Sequence, residues 1–157
     1  MLMDRLAQTA LKNQRKGAIG YMIKTYVIDT NVLIQAPYAI ECFEENNLVL
    51  PLVVLEELDG LKKAEGEKGA NARAAVRKLE SYRQKGDLLQ GVKLPGGGIL
   101  RIEKNFVQVE LPQDIPDDKP DNRILKVCKG LAETEKEGQV ILVTKDIVLR
   151  LKAQILG

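Results

Sequence analysis

The sequence predicts an α/β protein in which helices cover both faces of a central, mostly parallel sheet, an α/β/α sandwich. Short apolar runs of strand length recur along the chain, and segments with helical spacing follow them. Acidic residues stand where several of these strands end and helices begin. Strands that alternate with helices are typical of parallel sheets. The 157 residues are enough for one domain with its own core.

The first elements follow from the apolar run at 25–29. It predicts a buried strand, and a helical turn at 30–35 follows it and ends before Pro37. A helix is expected at 38–45 and a second strand at 48–50. We interpret residues 1–21, which are interrupted by glycines and carry mixed charges, as an N-terminal extension to a domain at 22–157.

The middle of the chain is predicted to be mainly helical. Pro51 favours a helix start, and the helix is expected at 52–63. The polar, glycine-containing segment 64–69 predicts a mobile loop. A long charged helix is then expected at 70–85.

Alternating residues after the glycines at 96–98 predict a β-hairpin insertion. Its strands are expected at 99–102 and 106–109, with the bend at 104–105. The glycines lack the Gly-Lys-Ser/Thr ending of a phosphate-binding loop, so we interpret them as a tight, exposed turn.

The last part of the chain repeats the strand-then-helix order. An acidic, proline-containing link at 112–120 leads into a helix at 121–133. A strand is expected at 140–143 and a final helix at 146–155.

Composition excludes several classes of function. The 24 basic and 22 acidic residues give a net charge of +2, too small to bind nucleic acid by bulk electrostatics. The chain has no histidine, which excludes histidine-based nucleophiles, acid/base pairs and zinc ligands. No apolar run is long enough to span a membrane, and Met1–Lys16 does not resemble a secretory signal. Two cysteines, interpreted as reduced packing residues, fit a cytoplasmic protein.

Four acidic residues from separate segments are candidate metal ligands: Asp29, Glu57, Asp121 and Asp146. Parallel sheets bind ligands at the carboxyl ends of their strands, where these acids are expected. Carboxylates without histidine favour a hard cation, Mg²⁺ or Mn²⁺. Taken singly, each of the three aspartates is better explained as a helix cap than as a metal ligand. The distances among the four carboxylates decide between these interpretations.

Helical spacing distinguishes the acids of the 52–63 helix. At roughly 100° per residue, Glu57 lies at the border of the apolar face, whereas Glu56 points away from it. Asp59 borders the other side and is a weaker candidate. Asp121 falls on the apolar stripe of its own helix, where an unpaired carboxylate is costly. Asn31 and Thr144 could orient a carboxylate, a water or a phosphate, or could be purely structural.

Four segments together resemble the PIN-domain nucleases, in particular the PIN domain that precedes the ATPase of PhoH-like proteins. They are Val27–Ile34, Pro51 with Glu57–Lys62, Asp121–Leu125 and Leu142–Asp146. The resemblance covers roughly residues 23–157. It places the end of the chain where the family has a last edge strand, followed by an ATPase domain.

The resemblance implies a metal-dependent endoribonuclease that cleaves single-stranded RNA. It carries the family's acidic ligands onto Asp29, Glu57, Asp121 and Asp146, and its polar auxiliaries onto Asn31 and Thr144. Few aromatic residues are available for stacking, so RNA is expected to be held through its phosphates. The basic residues nearest the acids in sequence are the expected contacts: Lys145, Arg150 and Arg123. A homodimer or larger homo-oligomer is also implied.

Two other functions fit parts of the pattern. The acids could persist as caps or as an inert metal site in a non-catalytic RNA-binding or assembly module. A receiver-like phospho-acceptor domain also gathers aspartates and a Thr/Lys at strand ends. The absence of a neighbouring acid pair after the first strand disfavours that alternative.

Overall fold

The computed structural model describes residues 23–135 and 138–157, so the expected extension at 1–21 lies outside the described residues. The elements in chain order are β1 (Thr25–Ile28), α1 (Thr30–Gln35), a 3₁₀ helix (Pro37–Glu41), β2 (Asn47–Pro51), α2 (Leu52–Leu61), α3 (Gly66–Arg83), β3 (Val92–Lys93), β4 (Ile99–Glu103), α4 (Pro120–Thr134), β5 (Val140–Val143) and α5 (Ile147–Leu156).

The five strands form one sheet in the order β3-β4-β2-β1-β5. All neighbours are parallel except β3 and β4. Helices α1, α2 and α3 pack on one another, and α4 packs against α5 and β5. The predicted α/β/α architecture with a mostly parallel sheet is confirmed.

The core lies along the two central strands. Residues 25–28 of β1 are all buried, as are Leu48 to Pro51 of β2. Burial on both faces explains why these strands are continuous apolar runs rather than alternating ones. A smaller cluster beneath α5 contains Ile115, Leu125 and Leu149.

The prediction of the hairpin is right for one strand and wrong for the other. β4 occupies 99–103, but 106–109 forms no strand, and the antiparallel partner of β4 is β3 at 92–93. Phe106 has a φ of 47°, which ends the extended chain, and its ring lies against Gly130 of α4. The glycines at 96–98 do form the turn, closed by a 2.8 Å bond from the Leu94 N–H to the Gly98 carbonyl.

Two further expectations are corrected. The loop expected at 64–69 is shorter, because α3 begins at Gly66. The Gly69 Cα lies so close to the Ala64 carbonyl that a Cβ would collide with it, so glycine serves close packing here rather than mobility. The helix expected at 38–45 is a 3₁₀ helix that ends at Glu41.

Helix α5 leaves several large aliphatic side chains in solvent. Ile147, Val148, Leu151 and Ile155 are all exposed. None of the described helices is long and apolar enough to cross a membrane.

Candidate metal centre

The candidate site lies where the chain reverses its direction of travel across the sheet. Strands β2 and β4 are added on one side of β1, and β5 then returns to the other side. The crevice beyond the carboxyl ends of strands at such a switch point is the usual ligand site of open α/β sheets. Ile28 and Val143, the last residues of β1 and β5, are paired there.

Asp29 follows β1 directly and is fixed by its neighbour strand. Its backbone N–H donates to the Val143 carbonyl at 3.0 Å. The Thr144 hydroxyl donates to Asp29 Oδ2 at 2.7 Å across 115 residues of sequence. Both side chains are buried, with 2% of Asp29 and 4% of Thr144 exposed. Thr144 therefore orients a carboxylate, one of the two roles that the sequence left open for it.

Asp146 is tied to the same place through Thr144. Its backbone N–H donates to Thr144 Oγ1 at 3.1 Å. Its Oδ1 accepts from the N–H groups of Val148 and Leu149 at 2.8 and 3.3 Å, so Asp146 caps α5. The cap interpretation is thus right for Asp146. It is wrong for Asp29, whose side chain makes no cap hydrogen bond to α1.

Glu57 reaches the site from α2. The Thr30 hydroxyl, next to Asp29 in sequence, donates to Glu57 Oε1 at 2.9 Å. Glu57 is half-buried, whereas Glu56 is exposed, as the helical spacing predicted. Asp59 is exposed and paired with Lys62 at 2.6 Å.

Asp121 lies half-buried in the first turn of α4. Its neighbour Asn122 is buried and anchors this end of the helix. Asn122 donates to the Pro116 carbonyl at 2.6 Å and accepts from Lys152 at 2.9 Å. The start of α4 is therefore held in place next to α5.

The four acids act on one another electrostatically. Burial raises the pKa of Asp29, and the charges of Asp121 and Asp146 raise it further, against the hydrogen bond from Thr144. Burial also raises the pKa of Glu57, and Asp121 and Asp29 add to the increase. Within the described part of the chain, no Lys or Arg forms an ion pair with any of the four acids. In the described structure, no basic side chain therefore pairs with these acids to offset their mutual repulsion.

Carboxylate oxygens are suitable ligands for a hard cation, but the four side chains do not converge on one point. Across residues 23–135 and 138–157, no group of three or more acidic or cysteine side chains is placed to hold a metal ion. The convergence on which the metal interpretation depended is thus partial: Asp121 and Asp146 lie close enough to Asp29 for their charges to raise its pKa, and Asp121 and Asp29 act on Glu57 in the same way. Ligation of one ion by three of these acids would require their side chains to move closer together.

Comparison with known proteins assigns the chain to a family. A model of the PIN domain matches residues 26–157. This chain belongs to the PIN-domain family. Three similar proteins are each named Protein PhoH2. That of Bacillus subtilis is 49% identical over 141 residues, covering 87% of this chain and 32% of its own length. Those of Thermobispora bispora and Mycolicibacterium smegmatis are 40% and 41% identical, covering 85% and 86% of this chain. The chain spans about a third of the length of these relatives.

Asn31 of this PIN domain lies at the start of α1, two residues after Asp29. It is exposed on α1 and lines a groove with residues of α3. No hydrogen bond in the described structure joins its side chain to the acids. Its assignment as an auxiliary of the acidic site stays a prediction from the family resemblance.

The three basic residues expected to contact substrate are spread around the site. Arg150 of α5 is exposed, and its Nη2 donates to the Thr144 carbonyl at 3.0 Å, which ties it to the end of β5. Lys145 and Arg123 are half-buried. Among these cations, Arg150 has the most direct structural link to the acids.

Sequence reasoning missed two residues that position the site. Thr30 holds Glu57, although its place immediately after Asp29 was a signal available in the sequence. Asn105 accepts from the Val53 N–H at 3.3 Å through its side-chain oxygen and so caps α2, the helix that carries Glu57. Nothing in the sequence links Asn105 to α2, since 52 residues separate it from Val53.

Proposed function

We propose that this PIN domain is a metal-dependent endoribonuclease that cleaves single-stranded RNA. The observation that carries the proposal is the Asp29 carboxylate. It lies at the switch point and accepts a hydrogen bond from Thr144, and its pKa is raised by burial and, to a smaller extent, by the charges of Asp121 and Asp146. Burying a carboxylate without a cationic partner costs stability, and a bound cation would offset that cost.

The proposed ligands are Asp29, Glu57, Asp121 and Asp146, and the proposed ion is Mg²⁺ or Mn²⁺. When bound, such an ion would lower the pKa of a water molecule and stabilise the leaving oxygen. Attack of water on phosphorus breaks the bond to the 3′ oxygen and leaves 5′-phosphate and 3′-hydroxyl ends. Thr144 and Thr30 keep Asp29 and Glu57 in fixed orientations, and Asn31 is proposed as a further polar auxiliary.

The proposed substrate contacts are phosphates held by Arg150, Lys145 and Arg123. The Arg150 guanidinium donates to the carbonyl of Thr144, the residue whose hydroxyl binds Asp29, and no ion pair in the described structure joins Arg150 to the four acids. Binding through phosphates predicts loose sequence preference and strong dependence on salt.

The experiment that tests the proposal is cleavage of a labelled single-stranded RNA with Mn²⁺ or with EDTA. We expect cleavage with Mn²⁺ that EDTA stops. Asp29→Asn, Glu57→Gln, Asp121→Asn and Asp146→Asn should each remove it. Glu56→Gln is the matched control, because Glu56 is an exposed acid beside Glu57.

A second candidate function is a non-catalytic RNA-binding module. It is favoured by one observation, that three acids of the described chain are not gathered around a common point. RNA binding that is unaffected by EDTA, together with no turnover in any divalent cation, would support it over the nuclease. The receiver-like alternative is wrong. Besides the family match, the third parallel strand β4 lies beside β2, whereas receiver folds place the third strand beside β1.

Association with other domains is also proposed. The resemblance to PhoH-like proteins implies an adjoining ATPase domain in a longer protein, and a homodimer or larger homo-oligomer. The exposed aliphatic residues of α5 support association, because contiguous exposed apolar surface commonly marks a contact. Light scattering on the purified chain tests self-association. The cytoplasmic setting expected from the sequence stays a prediction.

A further inference from the structure

A groove runs between α1 and the beginning of α3, beside the acidic site. Its volume is about 530 Å³, within the range of roughly 300–1,000 Å³ that is usual for ligand sites. Its lining comes from two short stretches of sequence: Asn31, Ile34 and Gln35 of α1, and Glu67, Lys68 and Asn71 of α3. Five of these six side chains are polar.

We infer that this groove is a nucleotide subsite, which holds the residue of the RNA strand next to the phosphodiester that is cut. The inference rests on the proposed function and adds to it a defined place and defined contacts for the substrate.

The position of the groove supports this inference. Asn31 marks one end and is two residues from Asp29 and next to Thr30, which holds Glu57. Gln35 lies one helical turn further along α1, about 6 Å away at 1.5 Å per residue. An RNA strand that passes the acids can therefore continue directly into the groove.

The walls of the groove are held together by a hydrogen bond. The Asn71 amide donates to the Ile34 carbonyl at 2.6 Å, joining α3 to α1. The side-chain oxygen of Asn71 remains as an acceptor. The side chains of Asn31 and Gln35 are exposed and form no hydrogen bond with another described residue. Amide groups both donate and accept, which suits the edges of an unpaired base.

The charged residues of the groove fit the rest of a nucleotide. Lys68 is exposed, and no described carboxylate forms an ion pair with it, so it is available to a phosphate. It stands in the first turn of α3, an 18-residue helix whose N-cap Glu65 makes no side-chain cap bond. The unsatisfied N–H groups of that turn favour an anion in the same place.

Glu67 adds a hydrogen-bond acceptor to the groove. Its carboxylate can accept a hydrogen bond from a hydroxyl or amino group. The ribose 2′-hydroxyl is the group that distinguishes RNA from DNA. We therefore expect Glu67 to contribute to a preference for RNA over DNA of the same sequence.

The first test measures RNA binding by the full chain, carrying Asp29→Asn so that RNA remains intact, in Mg²⁺. Fluorescence anisotropy with a labelled single-stranded RNA should give a Kd roughly tenfold higher when Lys68→Gln and Gln35→Ala are added. Lys93→Gln is the matched control, an exposed lysine on β3 at the far edge of the sheet. An unchanged Kd in the double variant would overturn the inference.

The second test locates the RNA. Irradiation of a complex with 4-thiouridine RNA should give cross-linked peptides that contain residues 31–35 or 67–71. Cross-links confined to other segments would contradict the subsite. In the protein with Asp29 intact, the double variant should raise KM more than it lowers kcat.

The two tests separate this inference from the proposed nuclease. Cleavage by the wild type with unaltered binding by the groove variants leaves the nuclease in place and rejects the subsite. Cross-linking in the groove without any cleavage rejects the nuclease and leaves the groove as an RNA-binding site with no cleaved bond beside it. A wild type that neither binds nor cleaves RNA rejects both.

Discussion

The Thr144 hydroxyl links two aspartates that are far apart in sequence. It donates to Asp29 Oδ2 at 2.7 Å and accepts from the Asp146 N–H at 3.1 Å. Because the backbone N–H of Asp146 can only donate, Thr144 is oriented to give its own proton to Asp29. The carboxylate of Asp29, which directly follows β1, is therefore in a fixed position relative to the start of α5.

We predict that Thr144→Val impairs cleavage by disorienting Asp29. Groups that orient metal ligands are worth about 10- to 100-fold in metal affinity or activity. The Mn²⁺ concentration for half-maximal cleavage should therefore rise in the valine variant. Thr144→Ser, which keeps the hydroxyl, should restore most of the activity. Equal Mn²⁺ requirements in valine and serine variants would show that the hydroxyl has only a structural role.

Removing the charge of Asp29 should stabilise the metal-free protein at neutral pH. Since the fold raises the pKa of Asp29 above its ordinary value of 3.8, the folded state binds this proton more tightly than the unfolded chain does. Stability is then lost as pH rises from the unfolded pKa through the folded one. Asp29→Asn avoids this loss and still accepts from Thr144, so its Tm in EDTA should exceed that of the wild type at pH 7.

The advantage of Asp29→Asn should disappear below about pH 3.8, where Asp29 is protonated in both states. Thermal unfolding in EDTA across this pH range provides the measurement. Asp118→Asn is the control, since Asp118 is exposed in the link before α4. If Asp29→Asn is less stable than the wild type at pH 7, and by the same amount at low pH, the charge of Asp29 does not destabilise the folded protein.

Divalent cations should stabilise the wild type and not Asp29→Asn. A ligand that binds only the folded state adds about 2.7 kcal/mol at a concentration of 100 times its Kd. The wild-type Tm should therefore rise with Mn²⁺ concentration, and the rise should persist in Glu56→Gln. An equal rise in Asp29→Asn would place the ion elsewhere.

Gly130 is predicted to be required for packing against Phe106. A Cβ at Gly130 would collide with the Phe106 ring, and the ring sits on a residue with a φ of 47° that has little freedom to move. Gly130→Ala should cost about 1–3 kcal/mol of unfolding free energy, as overpacking usually does. Chemical denaturation measures the change.

Gly60→Ala is the matched control for Gly130→Ala. Gly60 is also in a helix, but nothing lies within 4 Å of an added Cβ. Alanine there should be neutral or stabilising by up to about 1 kcal/mol, because glycine weakens helix interiors. Similar losses in both variants would mean that general helix effects, rather than Phe106, determine the outcome.

The local sequence predicted those strands that are continuous apolar runs. β5 has the expected bounds of 140–143, and β1 differs by one residue, because apolar runs between polar breaks define them. The hairpin prediction failed at Phe106. Residues 106–109 alternate like a strand, but the side chain of Phe106 finds its partner in α4, a contact that no local pattern reveals.

The sequence predicted the acids of the candidate site but not the residues that hold them in place. Strand ends and helical spacing pointed to Asp29 and to Glu57 rather than Glu56. Thr30 and Asn105 were missed because their roles depend on where α2 lies relative to α1 and β4. The groove beside Asn31 could not be foreseen for the same reason, since α3 supplies half of its lining.

The most direct test of the account is multiple-turnover cleavage of single-stranded RNA in Mn²⁺ by wild type, Asp29→Asn and Glu56→Gln, each purified identically. The account predicts turnover by wild type and Glu56→Gln, and none by Asp29→Asn. Metal-dependent turnover that survives in Asp29→Asn, or its absence from the wild type, would contradict it.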